Sequence, residues 1–322
     1  MVEWLLGASR FAQFLAALTL FGLAAFELYA GRQADPVTAE VQRTSATTHA
    51  SHRWLMAGLA AAGLLTASGW LGAEALQLAG SWNAVVDVVR DTLFGKVLVL
   101  RGALFGLVLL LALTQRGKPG RALWWMLCAM SSIAVASFAW TGHGGFDANG
   151  SSPAHRVADV LHLLAAGIWT GALAALVLQA RAALCVSSGS ATVSRTADIA
   201  HELARGLGRF SVIGPAVIAV LVLSGLVNSG FLIGLKGWRA LPHTAYGLSL
   251  LVKLALFLGM LGLAGVNRLW LAPRLDAALA AHTDTNSAVR RLNRSLLLES
   301  ALALLVIGAV AILGLSEPPL AE

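Results

Sequence analysis

The stretch Trp140-Thr-Gly-His143-Gly-Gly, resumed after a short polar loop by His155-Arg-Val-Ala-Asp159-Val-Leu-His162-Leu-Leu-Ala-Ala-Gly-Ile-Trp169-Thr-Gly171, decides how this chain is read. An apolar run ends to its left and another begins within it. The loop between them sets three histidines and a carboxylate at one face of a membrane. His155, Asp159 and His162 follow i, i+4, i+7 spacing, which lines them up on one stripe of a helix. His162 lies about one and a half helical turns inside the apolar run, where a neutral imidazole needs a partner. We read the cluster as the mouth of a metal site. His155 and His162 stand two turns apart, about 10 Å along a helix axis, too far to share one ion. His143 with His162 is therefore the preferred pair, with His155 and Asp159 as auxiliary ligands.

Composition frames that reading. The 322 residues are 57% hydrophobic and only 12% charged, with a mean hydropathy of +0.75. A water-soluble domain carries about twice that charged fraction, so the chain reads as an integral membrane protein. Its net charge of +7 sits in short loops between apolar runs, where cations set topology. No basic stripe interleaved with aromatics offers a nucleic-acid surface. The two cysteines, Cys128 and Cys185, make neither a disulfide framework nor a metal knuckle. The opening apolar run lacks a positive leader and a small-residue cleavage signal, so it is expected to persist as a first membrane helix.

A helix crosses the hydrocarbon in about 20 apolar residues. Eight stretches qualify: Trp4–Tyr29, Trp54–Leu78, Thr92–Thr114, Ala122–Thr141, Val157–Leu184, Phe210–Leu235, Tyr246–Leu271 and Leu292–Leu315. The expected fold class is an all-α integral membrane protein. Loops after the odd-numbered spans hold 14 Lys and Arg, against 5 on the opposite face. The positive-inside rule then places both termini and the His143–His155 loop on the periplasmic side.

The chain also reads as a parallel 4+4 repeat, with a first four-helix half over 1–152 and a second over 153–322, joined in one membrane domain. Thr92-Leu-Phe94-Gly95 through Arg101 to Phe105 aligns without gaps to Thr244-Ala-Tyr246-Gly247 through Lys253 to Phe257. Gln13-Phe-Leu15-Ala16-Ala17 through Gly22 lies, more weakly, over His162-Leu-Leu164-Ala165-Ala166 through Gly171. Such a repeat implies a pseudo-twofold axis along the membrane normal.

Several polar groups interrupt the spans. Arg101 and Lys253 stand about 13 Å inside their helices, where an unpaired cation costs at least ~2.5–3.5 kcal/mol. Glu74 and Asp159 are the candidate partners, and the cations either lock the halves together or shape the field along a path. Arg268 and Glu299 are expected to pair, and Glu27 lies near the end of span one. Asn228 breaks span six and either serves a site or bridges helices. His243, opening span seven, is a weaker ligand candidate. Met126, Cys128 and Met130 offer soft donors to a soft cation, although methionine is also a common packing residue. His49 and His52, at i, i+3, could receive an ion at the other face; a solvated loop is the plainer reading. There is no Walker motif, nucleophile elbow or zincin motif, so catalysis has no positive signature and no enzyme is expected.

Taken in order, Arg10-Phe-Ala-Gln13-Phe, Thr92-Leu-Phe94-Gly95 through Arg101, Thr-Gly-His143, Leu-His162 through Gly171, Arg209-Phe210-Ser211, Ser-Gly225-Leu-Val-Asn228, Asn267-Arg268 and Pro273-Arg274 resemble the CopD/PcoD family of copper-resistance inner-membrane proteins. The resemblance runs over essentially the whole chain. It implies eight helices in the bacterial cytoplasmic membrane and a copper ion moving from periplasm toward cytoplasm. It also implies a small periplasmic copper carrier of the CopC type as partner. No histidine-rich or methionine-rich periplasmic extension is seen, which favours handover from a carrier over capture from solution. Two rival readings remain at this point. Intramembrane histidines also serve haem as axial ligands in a redox-active protein, and a non-transporting scaffold could simply dock the carrier.

Overall fold

In the computed structural model the described residues are 2–31, 39–79, 82–115, 120–141, 152–187, 193–237 and 241–314. They are helical with short turns, and no strand occurs among them. Ten α-helices follow one another: α1 Val2–Tyr29, α2 Ala39–Ala79, α3 Val85–Asp91, α4 Leu93–Thr114, α5 Arg121–Ala136, α6 Pro153–Ser187, α7 Val193–Gly237, α8 Ala245–Val266, α9 Ala272–Ala280 and α10 Thr285–Leu313. The eight that are long and apolar enough to cross a membrane fall where hydropathy places them, with α8 and α9 joined as one crossing.

The largest departure is in length. The sixth span runs on from Val193, well before the expected Phe210. Its added stretch carries Arg195, Asp198, Glu202 and Arg205, which mask it in a hydropathy reading. It is amphipathic instead: Ile199, Ala200, Leu203 and Leu207 are buried at helical spacing. The α9–α10 turn reverses at His282, whose φ of 51° lies in the left-handed region. Asp284 then caps α10 by accepting from the Ser287 amide.

Helix α1 is the hub. Its span is 72% buried, and it packs against α2, α5, α6 and α10. The crossing of α1 with α6 is set by glycine. A Cβ on Gly22 would lie 1.8 Å from the Gly167 carbonyl oxygen, and one on Gly171 would lie 2.0 Å from the Gly22 carbonyl carbon. Without side chains there, the two backbones touch, the close packing that small residues permit in lipid. This fixes the register between Gln13 on α1 and His162 on α6, each nine residues before its glycine.

Two helix starts are alike. Thr92 caps α4 with φ −112° and ψ 145°, and its side chain accepts from the Gly95 amide. Thr244 caps α8 with φ −115° and ψ 148°, accepting from the Gly247 amide. Nine residues past these caps come Arg101 and Lys253. Their surroundings differ completely.

Candidate metal pathway

Arg101 is fully buried, with 0% exposure. Its Nε donates to Ser137 Oγ at 2.9 Å, one Nη to Thr141 Oγ1 at 3.0 Å and the other to Gln13 Oε1 at 3.5 Å. The guanidinium carbon lies 3.7 Å from the Phe138 ring centroid and 5.8 Å from that of Trp70. The expected carboxylate partner is not there. Glu74 acts instead on Arg10, which lies over the Trp70 ring, and Asp159 lines the cavity that holds Lys253. A delocalised, weakly hydrated guanidinium can rest on hydroxyls and an aromatic face where an ammonium cannot. The cluster is closed, with the guanidinium donors directed at protein acceptors.

Lys253 lines a cavity of about 240 Å³ shared with Arg10, His155, Asp159, His162, Asn228 and Tyr246. The stripe read from the sequence is thus real: His155, Asp159 and His162 reach one cavity wall. They do not form one coordination sphere, since no cluster of three metal-ligating side chains occurs among the described residues. His155 stands edge-on to Phe231 at 5.1 Å. Asp159 accepts from Asn228 Nδ2 at 3.4 Å, so Asn228 bridges α7 to α6, and it lines the same cavity. Asn228 Oδ1 is buried without a hydrogen-bond partner. His143, the preferred second ligand, lies outside the described residues.

The geometry of His162 is the most informative. Its Nδ1 lies 3.0 Å from Ser224 Oγ and 3.2 Å from the Leu221 carbonyl oxygen. The Val220 carbonyl, 2.5 Å from Ser224 Oγ, is the hydroxyl's nearest acceptor, and with the hydroxyl assigned as donating there Ser224 offers Nδ1 a lone pair. Both neighbours are acceptors, and Nδ1 must therefore carry the proton. That leaves Nε2 as a bare lone pair with no protein donor among the described residues. A metal-binding histidine has this arrangement: one ring nitrogen held by an acceptor, the other free to ligate.

Below His162 the space continues. A second cavity of about 230 Å³ runs past His162, Lys253, Leu254, Phe257 and Met260 to Trp169. Trp169 also lines a third, of about 450 Å³, with Phe210, Pro215, Asn267, Arg268 and Glu299. The sequence reading paired Glu299 with Arg268. The structure corrects this: Glu299 Oε1 accepts from Trp169 Nε1 and Oε2 from Asn267 Nδ2, each at 2.8 Å. Arg268, exposed at the rim of that cavity, follows Asn267 in a π-helical turn, Asn267–Leu271, in which Asn267 is buried.

Other candidates fall away from this path. His243 is exposed in the 3₁₀ turn Leu241–His243. Met130 is buried in the core while Met126 on the same helix is 43% exposed, so the soft donors do not gather. His52 is buried and pairs through Nδ1 with Glu27, which replaces the solvated-loop reading; the side chain of His49 lies outside the described residues. Arg10 and Trp169 were missed as site residues. Arg10 carries the same local mark as Arg101, a cation inside an apolar span; Trp169 has none, because its role depends on a partner on a distant helix.

The family model described as "Copper resistance protein D-like, N-terminal domain" matches residues 1–152, and that described as "Copper resistance protein D" matches 204–313. Copper resistance protein D of Pseudomonas syringae pv. tomato is 35% identical over 318 residues, covering 97% of this chain and 96% of its own length. Copper transport protein CutJ of Bacillus subtilis (strain 168) is 29% identical over 198 residues, 58% of this chain and 34% of the relative. With its eight membrane-length helices, the chain is a multi-pass, copper-related membrane protein of the copper resistance protein D family.

Proposed function

We propose that the chain carries copper across the bacterial cytoplasmic membrane, from periplasm toward cytoplasm, with His162 as the central ligand. The supporting observation is the free Nε2 of His162 at the junction of two cavities. An imidazole suits copper as a ligand, and a neutral one adds no charge to a site already facing Lys253. His155 and Asp159 receive the ion at the end that the distribution of loop cations assigns to the periplasm, and His143 is the candidate for completing the sphere. A CopC-type periplasmic carrier is the proposed donor. Lys253 keeps the ion from being held too tightly: a fixed positive charge across the cavity raises the energy of bound copper and favours its release.

The aligned repeat gives this reading a structural rationale. Gln13 and His162 occupy matching positions beside the glycine crossing, as do Arg101 and Lys253 beyond their caps. On this view one copy of the unit became a sealed strut and the other kept an open ligand. Copper uptake into proteoliposomes tests the proposal. Wild-type protein should accumulate copper, and His162→Ala should reduce accumulation to the level of empty vesicles. Equal uptake by both would remove His162 from the path.

A further inference from the structure

We infer that Glu299 is a proton-binding site that couples proton movement to the copper movement proposed above, an inference that rests on that reading. Glu299 is buried halfway along α10. Its two oxygens are held only by neutral donors, Trp169 Nε1 and Asn267 Nδ2. No Lys, Arg or His forms an ion pair with it among the described residues. An intramembrane carboxylate lining a cavity, held in no ion pair among the described residues, calls for a cation.

The surroundings select which cation. Every unused donor atom near Glu299 is oxygen. Asn267 Oδ1 is buried with no partner, and Ser211 lines the same cavity. Pro215 lacks the amide hydrogen that would bond the Ser211 carbonyl. No sulfur or imidazole is present, so the site lacks the donors that copper prefers. One carboxylate and one amide oxygen are too few for an alkali or alkaline-earth ion, which takes about six or more oxygens. A proton needs only the carboxylate and one acceptor for the resulting O–H.

Asn267 supplies that acceptor. With Glu299 ionised, its Nδ2 donates to Oε2. On protonation, Oε2 gains the hydrogen and becomes a donor. A half-turn of the Asn267 amide then presents Oδ1, now unpartnered, at the same place. Trp169 Nε1 continues to donate to Oε1 in both states. The site therefore satisfies both forms, binding one proton and later releasing the same proton. Among charged groups, α8 and the π turn bring Arg268 to the cavity and nothing else; the lining residues of α6, α7 and α9 are uncharged.

Trp169 provides the link to the metal. It is seven residues beyond His162 on α6, about 10 Å along the axis, and its ring separates the second cavity from the third. It stands edge-on to Phe210 and Phe257, at 6.5 and 6.0 Å. Protonation weakens the acceptor that holds the indole, so the ring is held less firmly when Glu299 is neutral.

The test uses full-length protein in proteoliposomes with a trapped pH dye and a copper readout. Wild-type copper flux should be accompanied by a pH change inside the vesicle and should respond to an imposed pH gradient. Glu299→Gln should abolish the accompanying pH change and cut copper flux at least tenfold, while His162-dependent copper binding by the purified protein persists. Glu299→Asp should restore part of both. Unchanged coupled flux in Glu299→Gln, or wild-type flux that follows a sodium gradient instead, overturns the inference. If the wild type moves no copper, the transport reading fails by itself. Infrared titration then decides the proton site: a protonated-carboxyl band missing in Glu299→Gln upholds it, and its absence from the wild type overturns it.

Discussion

Arg101 and Lys253 stand the same distance past matching threonine caps, yet one is packed shut and the other faces a cavity. Around Arg101, two hydroxyls and an amide each take one of the three guanidinium nitrogens, and two aromatic rings lie beside the group. Around Lys253, a carboxylate, an amide and a free imidazole nitrogen leave room for something more. The difference teaches that an intramembrane charge is a poor marker of function by itself. What separates strut from site is whether the groups beside it have unused valence. Gln13 shows this at its own crossing: its Nε2 donates to Thr66 Oγ1 and the Gly63 carbonyl and its Oε1 accepts from Arg101, whereas His162 keeps a lone pair back.

The largest effect that bears on this contrast is on the frame that holds both clusters. Gly22→Leu forces side-chain atoms into the α6 backbone, and the cost should exceed the ~1–3 kcal/mol of ordinary overpacking. Thermal unfolding in detergent should show a much less stable protein with neither cluster intact. Unaltered stability would mean that the α1–α6 crossing is not glycine-gated. Smaller effects then distinguish the two clusters. Lys253→Met removes a positive charge facing the proposed ion, and at an effective dielectric near 20 this should tighten copper binding about tenfold while slowing transport. Asp159→Asn should weaken binding by a similar factor, about tenfold, because it removes the one carboxylate facing the ion. Isothermal titration reads both, and shifts of the opposite sign would reverse the assigned roles. Arg101→Met should change copper affinity least, within about twofold, since buried charge replaced by apolar bulk is often tolerated. A loss as large as that of Asp159→Asn would erase the distinction between strut and site.

Much of the fold was legible because lipid imposes one rule, a long apolar run for each crossing, and this chain obeys it eight times. The longest departure, the early start of α7, follows from the same physics: beyond the hydrocarbon a helix needs only one apolar face. The site was legible in part. The stripe from His155 to His162 follows from helical spacing, and the structure sets it on one wall. What could not be read was partner choice across helices. Arg101 has no carboxylate, Glu299 takes Trp169 and Asn267 in place of Arg268, and His52 takes Glu27. Each pairing depends on how α1, α6, α7, α8 and α10 rotate about their axes, which hydropathy leaves open. The tautomer of His162 is a further step removed, fixed by a serine whose own hydrogen is already engaged.

The central claim is that this free nitrogen binds copper, and a copper titration of the purified protein tests it most directly. Wild-type protein should bind copper stoichiometrically, and His162→Ala should lose that binding by at least about a hundredfold, as expected when a site loses its main ligand. Identical stoichiometry and affinity in the two proteins would contradict the account.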